Sequence, residues 1–315
     1  MFEYTKPQLA QMANEMNFVR DTLEKVLRLS EILNYLNRNP LTKDSLALKG
    51  GTAINLTVFS LPRLSVDIDL DFADNLPREE MMAARERIRN DLRIYMATQG
   101  YNLSPRSKAF HSLDSFVFTY RNLGGMNDNI KIEINYSLRA HIFDPAPRYL
   151  SVPAWNGGNT VKTLAPAELF AAKINALLGR AAARDLYDVY NMIRFGLFDE
   201  SELPTLRKCV VFYTAISQDE IQDTYDFKRM NAVTPHKIKT DLLPVIKKGE
   251  FVELESVKRE VTEYLTDLLA LTADEKEFLR RFRDKCYAPE LLFDDPLILT
   301  RIGNHPMALW KMREA

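Results

Sequence analysis

The sequence predicts an α/β N-terminal domain followed by a mostly α-helical C-terminal domain. Three observations carry that reading. Runs of alternating apolar and polar residues at 65–72, 114–121 and 130–136 each have the length and period of one strand. Helical periodicity over 7–37 and 78–98 flanks them, and from Pro166 onward helix formers dominate. At about 150 residues per domain, 315 residues suit two. We expect residues 1–160 to form the α/β domain with a leading helix, and 161–315 the helical one.

In order along the chain, Leu9, Met12, Met16, Val19, Leu23, Val26, Leu27 and Leu33 make one apolar stripe, read as a single helix that Asn39-Pro40 ends. The apolar stretch LALKGGTAINLTVF changes character at Gly50-Gly51. The alternating run SVDIDLDF comes next, then a polar helix that Pro77 opens and Gly100 closes. Runs 114–121 and 130–136 flank the turn-like LGGMNDN. The segment from Pro145 to Pro153 and the WNGGN loop read as a pause between domains. Pro166 suits a first helical turn, and RDLYDVYNMIRF continues as a second helix. Further helices are expected at 203–216, 234–248, 251–271, 274–286 and 305–313, the fourth behind a Thr272/Glu275 capping box.

Composition excludes several classes. With 46% hydrophobic and 27% charged residues the chain has the makeup of a globular protein. A formal net charge of -1 argues against a polybasic protein that coats nucleic acid, though not against a local basic groove. Cys209 and Cys286 alone cannot build a disulfide scaffold or a Cys-rich zinc site. His111, His141, His236 and His305 lack ligand or catalytic spacing. No apolar run approaches the about 18 residues of a membrane span, and the N-terminus is too polar for a signal peptide, so a cytoplasmic protein is expected.

The most informative segment is Ser65–Phe72. As a strand it puts Val66, Ile68, Leu70 and Phe72 on one face and Ser65, Asp67, Asp69 and Asp71 on the other. Aspartate is depleted in strands and like charges on one face repel. Carboxylates about 7 Å apart along a strand face can instead converge on one divalent cation, with substrate phosphates completing its shell. The plain alternative is the solvated face of an edge strand. Lys131, Glu133 and Asn135 repeat the pattern against Ile130, Ile132 and Ile134. Pairing of the two strands would bring Glu133 beside the aspartates as a third ligand, in a site for two metal ions about 4 Å apart; alone, it is an ordinary strand-surface residue. Upstream, Lys49-Gly50-Gly51-Thr52 precedes a helical stretch, where paired glycines admit a close approach of phosphate to backbone. Any tight turn could use the same residues, and no Walker motif is present.

The segments LKGGTAINL and LPRLSVDIDLDF together resemble the first motif of the nucleotidyltransferase superfamily: paired small residues, a spacer, then Asp-x-Asp on a strand. More narrowly the chain resembles the AbiEii-type abortive-infection nucleotidyltransferases, the toxin halves of two-gene toxin–antitoxin systems. Arg63, Ser65, Asp67, Asp69, Lys173 and the run Arg184-Asp185-Leu186-Tyr187-Asp188 carry the match, over roughly residues 45–195.

The resemblance implies a nucleotidyltransferase-type mixed sheet with flanking helices. It implies that Gly51 and Thr52 hold an NTP triphosphate, that Ser65 donates to a phosphate oxygen, and that Asp67 and Asp69 hold Mg²⁺ or Mn²⁺, with Glu133 a possible further ligand. Lys173 would sit as a point charge on the triphosphate; without the resemblance it reads as a helix-surface lysine. Asp188, or else Asp185 three residues before it, would position Lys173 or serve as a base; an ordinary salt bridge from Arg184 to Asp188 is the alternative. Tyr187 and Tyr190 read as core. The implied activity moves a nucleoside monophosphate from NTP to an acceptor hydroxyl, in related toxins the 3′ end of tRNA, which blocks translation. A cognate antitoxin is an implied partner. An RNA acceptor calls for basic surface, with Arg85, Arg87, Arg89 and Arg93, then Arg280, Arg281, Arg283 and Lys285, and Lys247-Lys248 as candidates; each could be a solvated helix face. Transfer to a protein or small molecule, a non-catalytic antitoxin-binding module, and a DxD glycosyltransferase are the competing readings.

Overall fold

The computed structural model describes residues 2–151, 159–222 and 224–313. They divide into two compact units. The first holds 1–139, 145–164 and 244–249, and the second 140–144, 165–243 and 250–315.

The first unit begins with α1 (Lys6–Glu15) and α2 (Arg20–Arg38), where one helix was expected. Asn17 adopts a left-handed backbone, and the Phe18 N–H reaches back to the Ala13 carbonyl, which terminates α1. The strand β1 (Leu46–Lys49) runs into α3 (Gly50–Ala53), which continues as one wide turn over Ile54–Val58. Next come β2 (Asp67–Phe72), α4 (Arg78–Thr98), the short β3 (Asn102–Leu103) and β4 (Lys108–Ala109), then β5 (Leu113–Arg121) and β6 (Asn127–Asn135). Two more strands, β7 (Ala146–Tyr149) and β8 (Thr160–Thr163), pair antiparallel where a pause was expected; residues 152–158 of that segment, including most of WNGGN, lie outside the described residues.

The strands form one mixed sheet ordered β3-β5-β6-β2-β1-β8-β7, with β4 on β5. The expected mixed α/β fold is present. β1 and β2 are antiparallel, and β2 and β6 are parallel with Asp67 opposite Lys131 and Asp69 opposite Glu133. Alternation then sorts the faces. Ile68, Leu70, Phe72, Phe116, Phe118, Ile130, Ile132 and Ile134 are buried on one, where full burial of each such side chain contributes about 1.5–3 kcal/mol. Asp67, Asp69, Lys131 and Glu133 occupy the other, half-buried.

The apolar face also carries Asp114, which binds α4 through Arg85. The Arg85 guanidinium meets both Asp114 oxygens at 2.7 and 3.1 Å and donates to the Phe110 and His111 carbonyls at 2.7 Å. Arg85 is 4% exposed, so it leaves the basic surface that its sequence position put it in. Arg89 leans on Glu86 and Asp114, while Arg87 and Arg93 stay exposed.

The segment expected as a helix over 234–248 breaks up. After α8 (Pro235–Lys237) and one wide turn to Leu242, Pro244 cannot continue the ladder. Residues 244–249 instead join the first unit. Leu64 N–H donates to the Val245 carbonyl at 2.7 Å, Arg63 bridges to Ile246, and Asn17 exchanges hydrogen bonds with Lys248.

The second unit contains α5 (Pro166–Arg180), α6 (Ala183–Arg194), α7 (Leu203–Ser217), α8, α9 (Leu254–Leu268), α10 (Ala273–Arg283), α11 (Pro296–Ile302) and α12 (Pro306–Arg313). The Thr272/Glu275 capping box opens α10 as read from sequence. Buried Glu168 on α5 receives the Ile142 and Phe143 N–H groups and the Tyr213 hydroxyl, so residues 140–144 are clipped to the helices. Burial pushes the Glu168 carboxyl up, against the pull of His141 and those donors. Arg207 on α7 meets buried Glu275 on α10 at 2.8 Å.

Candidate active site

In the first unit the sheet delivers Asp67 and Asp69 to one edge of the β1–α3 turn. Asp69 stands opposite Lys49, the last residue of β1, and opposite Glu133 on its other side. Gly50 has φ +68°, a conformation L side chains rarely adopt, and a Cβ there would collide with the Asp69 carboxylate. At Gly51 the constraint is one of space alone. A Cβ on Gly51 would stand 2.6 Å from the Arg63 guanidinium and 3.1 Å from Ser65 Oγ. Both glycines thus let backbone lie against the side chains of the Arg-x-Ser-x-Asp-x-Asp segment.

Thr52 and Ser65 share a hydrogen bond of 2.9 Å, and Thr52 Oγ1 also donates to the Asp67 carbonyl. Thr52 is fully buried, so its hydroxyl fixes the turn to the strand. Asn55 Nδ2 donates to the Gly51 carbonyl at 2.8 Å from one turn on. The first turn of a helix has N–H groups without intrahelical acceptors, and here that turn begins at the aspartates' edge of the sheet.

The acids on this face of the sheet differ in their neighbours. Asp71 is 1% exposed and pairs with Lys49 Nζ at 2.5 Å. Glu133 is paired with Lys131 at 2.9 Å. Among the described residues no three His, Cys, Asp or Glu side chains are grouped closely enough to hold a metal ion. Asp67 and Asp69 are two hard oxygen donors on one strand face beside a glycine turn. That donor set fits Mg²⁺ or Mn²⁺, which bind through one or two carboxylates with substrate phosphates filling the remaining positions.

In the second unit Lys173, Asp185 and Asp188 come together. Lys173 on α5 is 7% exposed, so it is no surface lysine. Its ammonium lies 2.7 Å from Asp185 and 3.1 Å from Asp188, both on α6 and both buried. Arg180 adds a second cation to Asp185 at 2.7 Å. Burial alone would raise the Asp185 carboxyl, yet the Lys173 ammonium and the Arg180 guanidinium outweigh it and hold the group below the usual range. Arg184 donates to the Asp241 carbonyl at 2.7 Å. Tyr187 is core, its hydroxyl 2.5 Å from Glu250.

Of four further residues with a part in these arrangements, three lie in segments named from sequence without the contacts they make, and Arg180 was not named at all. Lys49 and Gly50 belonged to a quoted motif, but their contacts with Asp71 and Asp69 depend on strand register. Arg63, 2% exposed beneath Gly51, lacked a legible partner. Arg180 lies five residues before Asp185, a spacing that spans two helices and so shows no period.

No curated protein matches the chain. Among solved structures it is similar to MenT4, a nucleotidyltransferase toxin from Mycobacterium tuberculosis H37Rv, with 18% identity and a TM-score of 0.61 over 99% of this chain and 100% of that one. At that identity the likeness speaks for the fold. The family model described as the nucleotidyl transferase AbiEii toxin of type IV toxin–antitoxin systems matches residues 32–286. That match takes in both residue clusters, and the chain belongs to the AbiEii nucleotidyltransferase toxin family.

Proposed function

We propose that this nucleotidyltransferase moves a nucleoside monophosphate from an NTP to the 3′ end of tRNA, releasing pyrophosphate and blocking translation. The observation that supports it best is the collision a Cβ on Gly50 would have with Asp69, which marks a backbone brought against a carboxylate. Asp67 and Asp69 would hold the divalent cation, and Glu133 joins them only on giving up Lys131. A bound Mg²⁺ would supply charge neutralisation at the reacting phosphate. The Gly51 and Thr52 backbone would donate to triphosphate oxygens, with Ser65 as a hydroxyl donor, while the Thr52 side chain keeps the turn in place. Lys173 would offset negative charge that develops on the leaving pyrophosphate, a role for a point-charge ammonium. Asp185 and Asp188 orient Lys173, and Asp188 is the acid we assign as a base. A cognate antitoxin is the expected protein partner.

The test is incubation with each α-labelled NTP, Mg²⁺ and total RNA. Label in tRNA-sized RNA that disappears with Asp67→Ala supports the reading. Label confined to protein shifts the acceptor to a protein hydroxyl, and no transfer from any NTP overturns the catalytic roles.

A further inference from the structure

The basic run at the end of α10 does not act as one patch. Arg280 is committed to Glu277 and Asp284, and Arg281 to Glu277. Glu277 is pulled down to about 2 by hydrogen bonds from both arginines. These cations are matched by acids on their own helix. Arg283 and Lys285 turn elsewhere. They line a cavity of about 400 Å³ in the second unit together with Lys311, Asp219, Ile221 and Phe282.

Three cations against one acid give this wall a positive balance. Among the described residues Arg283 makes no ion pair. Lys285 donates to the Lys311 carbonyl at 2.8 Å, a neutral acceptor that leaves its charge in place. Lys311 in turn donates to the Gln218 carbonyl.

The backbone of Lys285 adds an independent observation. It sits at φ 60°, just past the end of α10, where the Cys286 N–H returns to the Arg281 carbonyl. Helices that end this way favour glycine at that position, because a Cβ is strained there. A lysine is kept at the cost of that strain, and its side chain forms part of the cavity wall. Strain at a non-glycine residue that lines a charged cavity is a reason to look for a ligand.

The volume lies within the about 300–1,000 Å³ usual for ligand sites, and Ile221 and Phe282 supply an apolar side. The ligand that answers both charge and surface is a phosphate ester with a sugar or base attached. We propose that this cavity binds a nucleotide unit of an RNA strand, with Arg283 and Lys285 on its phosphates. The inference rests on the RNA-acceptor reading above.

Anisotropy of a short fluorescein-labelled single-stranded RNA, titrated with the full chain over a range of salt, tests it. Each phosphate neutralised on a single strand contributes about 0.7 to the slope of log affinity against log salt. The double variant Arg283→Ala/Lys285→Gly should bind more weakly and lose about 1.4 from that slope. Glycine suits the left-handed turn, so the variant should melt as a folded protein. Equal affinity and slope in a folded variant overturn the cavity proposal alone, leaving the RNA reading intact. AMP binding that the substitutions abolish, with RNA binding unchanged, assigns the cavity to a free nucleotide and overturns it too. No RNA binding by the wild-type chain overturns both readings.

Discussion

Lys173 Nζ lies 2.7 Å from the Asp185 carboxylate, and both side chains are almost wholly buried. Removing one partner of a buried pair leaves an uncompensated charge, which costs about 3–5 kcal/mol. Asp188 remains 3.1 Å away to share that charge, so Asp185→Asn should fall at the lower end, about 3 kcal/mol. The folded carboxyl is held below its ordinary value of 3.8. Its stabilisation is therefore complete above that value and lost as pH falls through the depressed folded one. Thermal unfolding of the wild type below pH 4 should show a loss of stability that Asp185→Asn lacks. Parallel pH profiles of the two proteins would exclude Asp185 as the titrating group.

Gly50 and Gly125 offer a controlled comparison. Both have positive φ, +68° and +84°, but only Gly50 faces an obstacle, the Asp69 carboxylate. An alanine at Gly125 meets open space and should cost only the left-handed strain, about 1–2 kcal/mol. Gly50→Ala carries the same strain and also displaces Asp69. We expect it to abolish nucleotidyl transfer, while Gly125→Ala retains activity at temperatures where it is folded. Equal activity in both variants would show that the turn does not position the acid.

Arg85 separates surface charge from structural charge. Lysine keeps the cation and loses the planar fork that grips Asp114 and two carbonyls together. Arg85→Lys should cost about 2–4 kcal/mol through unsatisfied buried acceptors, read as a lowered melting temperature. RNA affinity of the folded variant should not change. A weakened RNA affinity without loss of stability would return Arg85 to a binding surface.

These cases show which parts of the molecule a sequence discloses. The strands β2, β5 and β6 and the face of Asp67, Asp69 and Glu133 were legible because alternation is a local property. Helix α4 was legible to its ends, since Pro77 and Gly100 bound it. Burial of Arg85 was not, because Asp114 lies 29 residues away and meets it only after the sheet forms. Nor was the division at Asn17, where the apolar stripe runs on past a single left-handed residue. Pro244 and Gly249 bound residues 244–249 and signal a break there, but the pairing with Leu64 and Asn17 that decides their path is not local. The Lys173 cluster was legible as a motif, while its burial depended on how α5 meets α6.

Asp71 belongs to the same strand face as Asp67, and the two should fail in different ways when neutralised. Asp71 is 1% exposed and pairs with Lys49, whereas Asp67 is half-buried and stands at the end of β2. Asp71→Asn removes a charge-assisted bond worth about 1.5–3 kcal/mol and should lower the melting temperature. Asp67→Asn should leave stability nearly intact, because a half-exposed carboxylate next to like charge on its own strand gains little from the fold. Calorimetric titration with Mn²⁺ in the presence of a non-hydrolysable NTP analogue separates them further. Asp67→Asn should lose the metal-dependent heat and Asp71→Asn should keep it, provided it is held below its own melting point. Loss of metal binding in folded Asp71→Asn would move the ligand set along the strand by two residues. That shift would exchange a half-buried oxygen pair for one that Lys49 already neutralises, so the calorimetric result also decides whether Lys49 is a structural partner or a gate on the site.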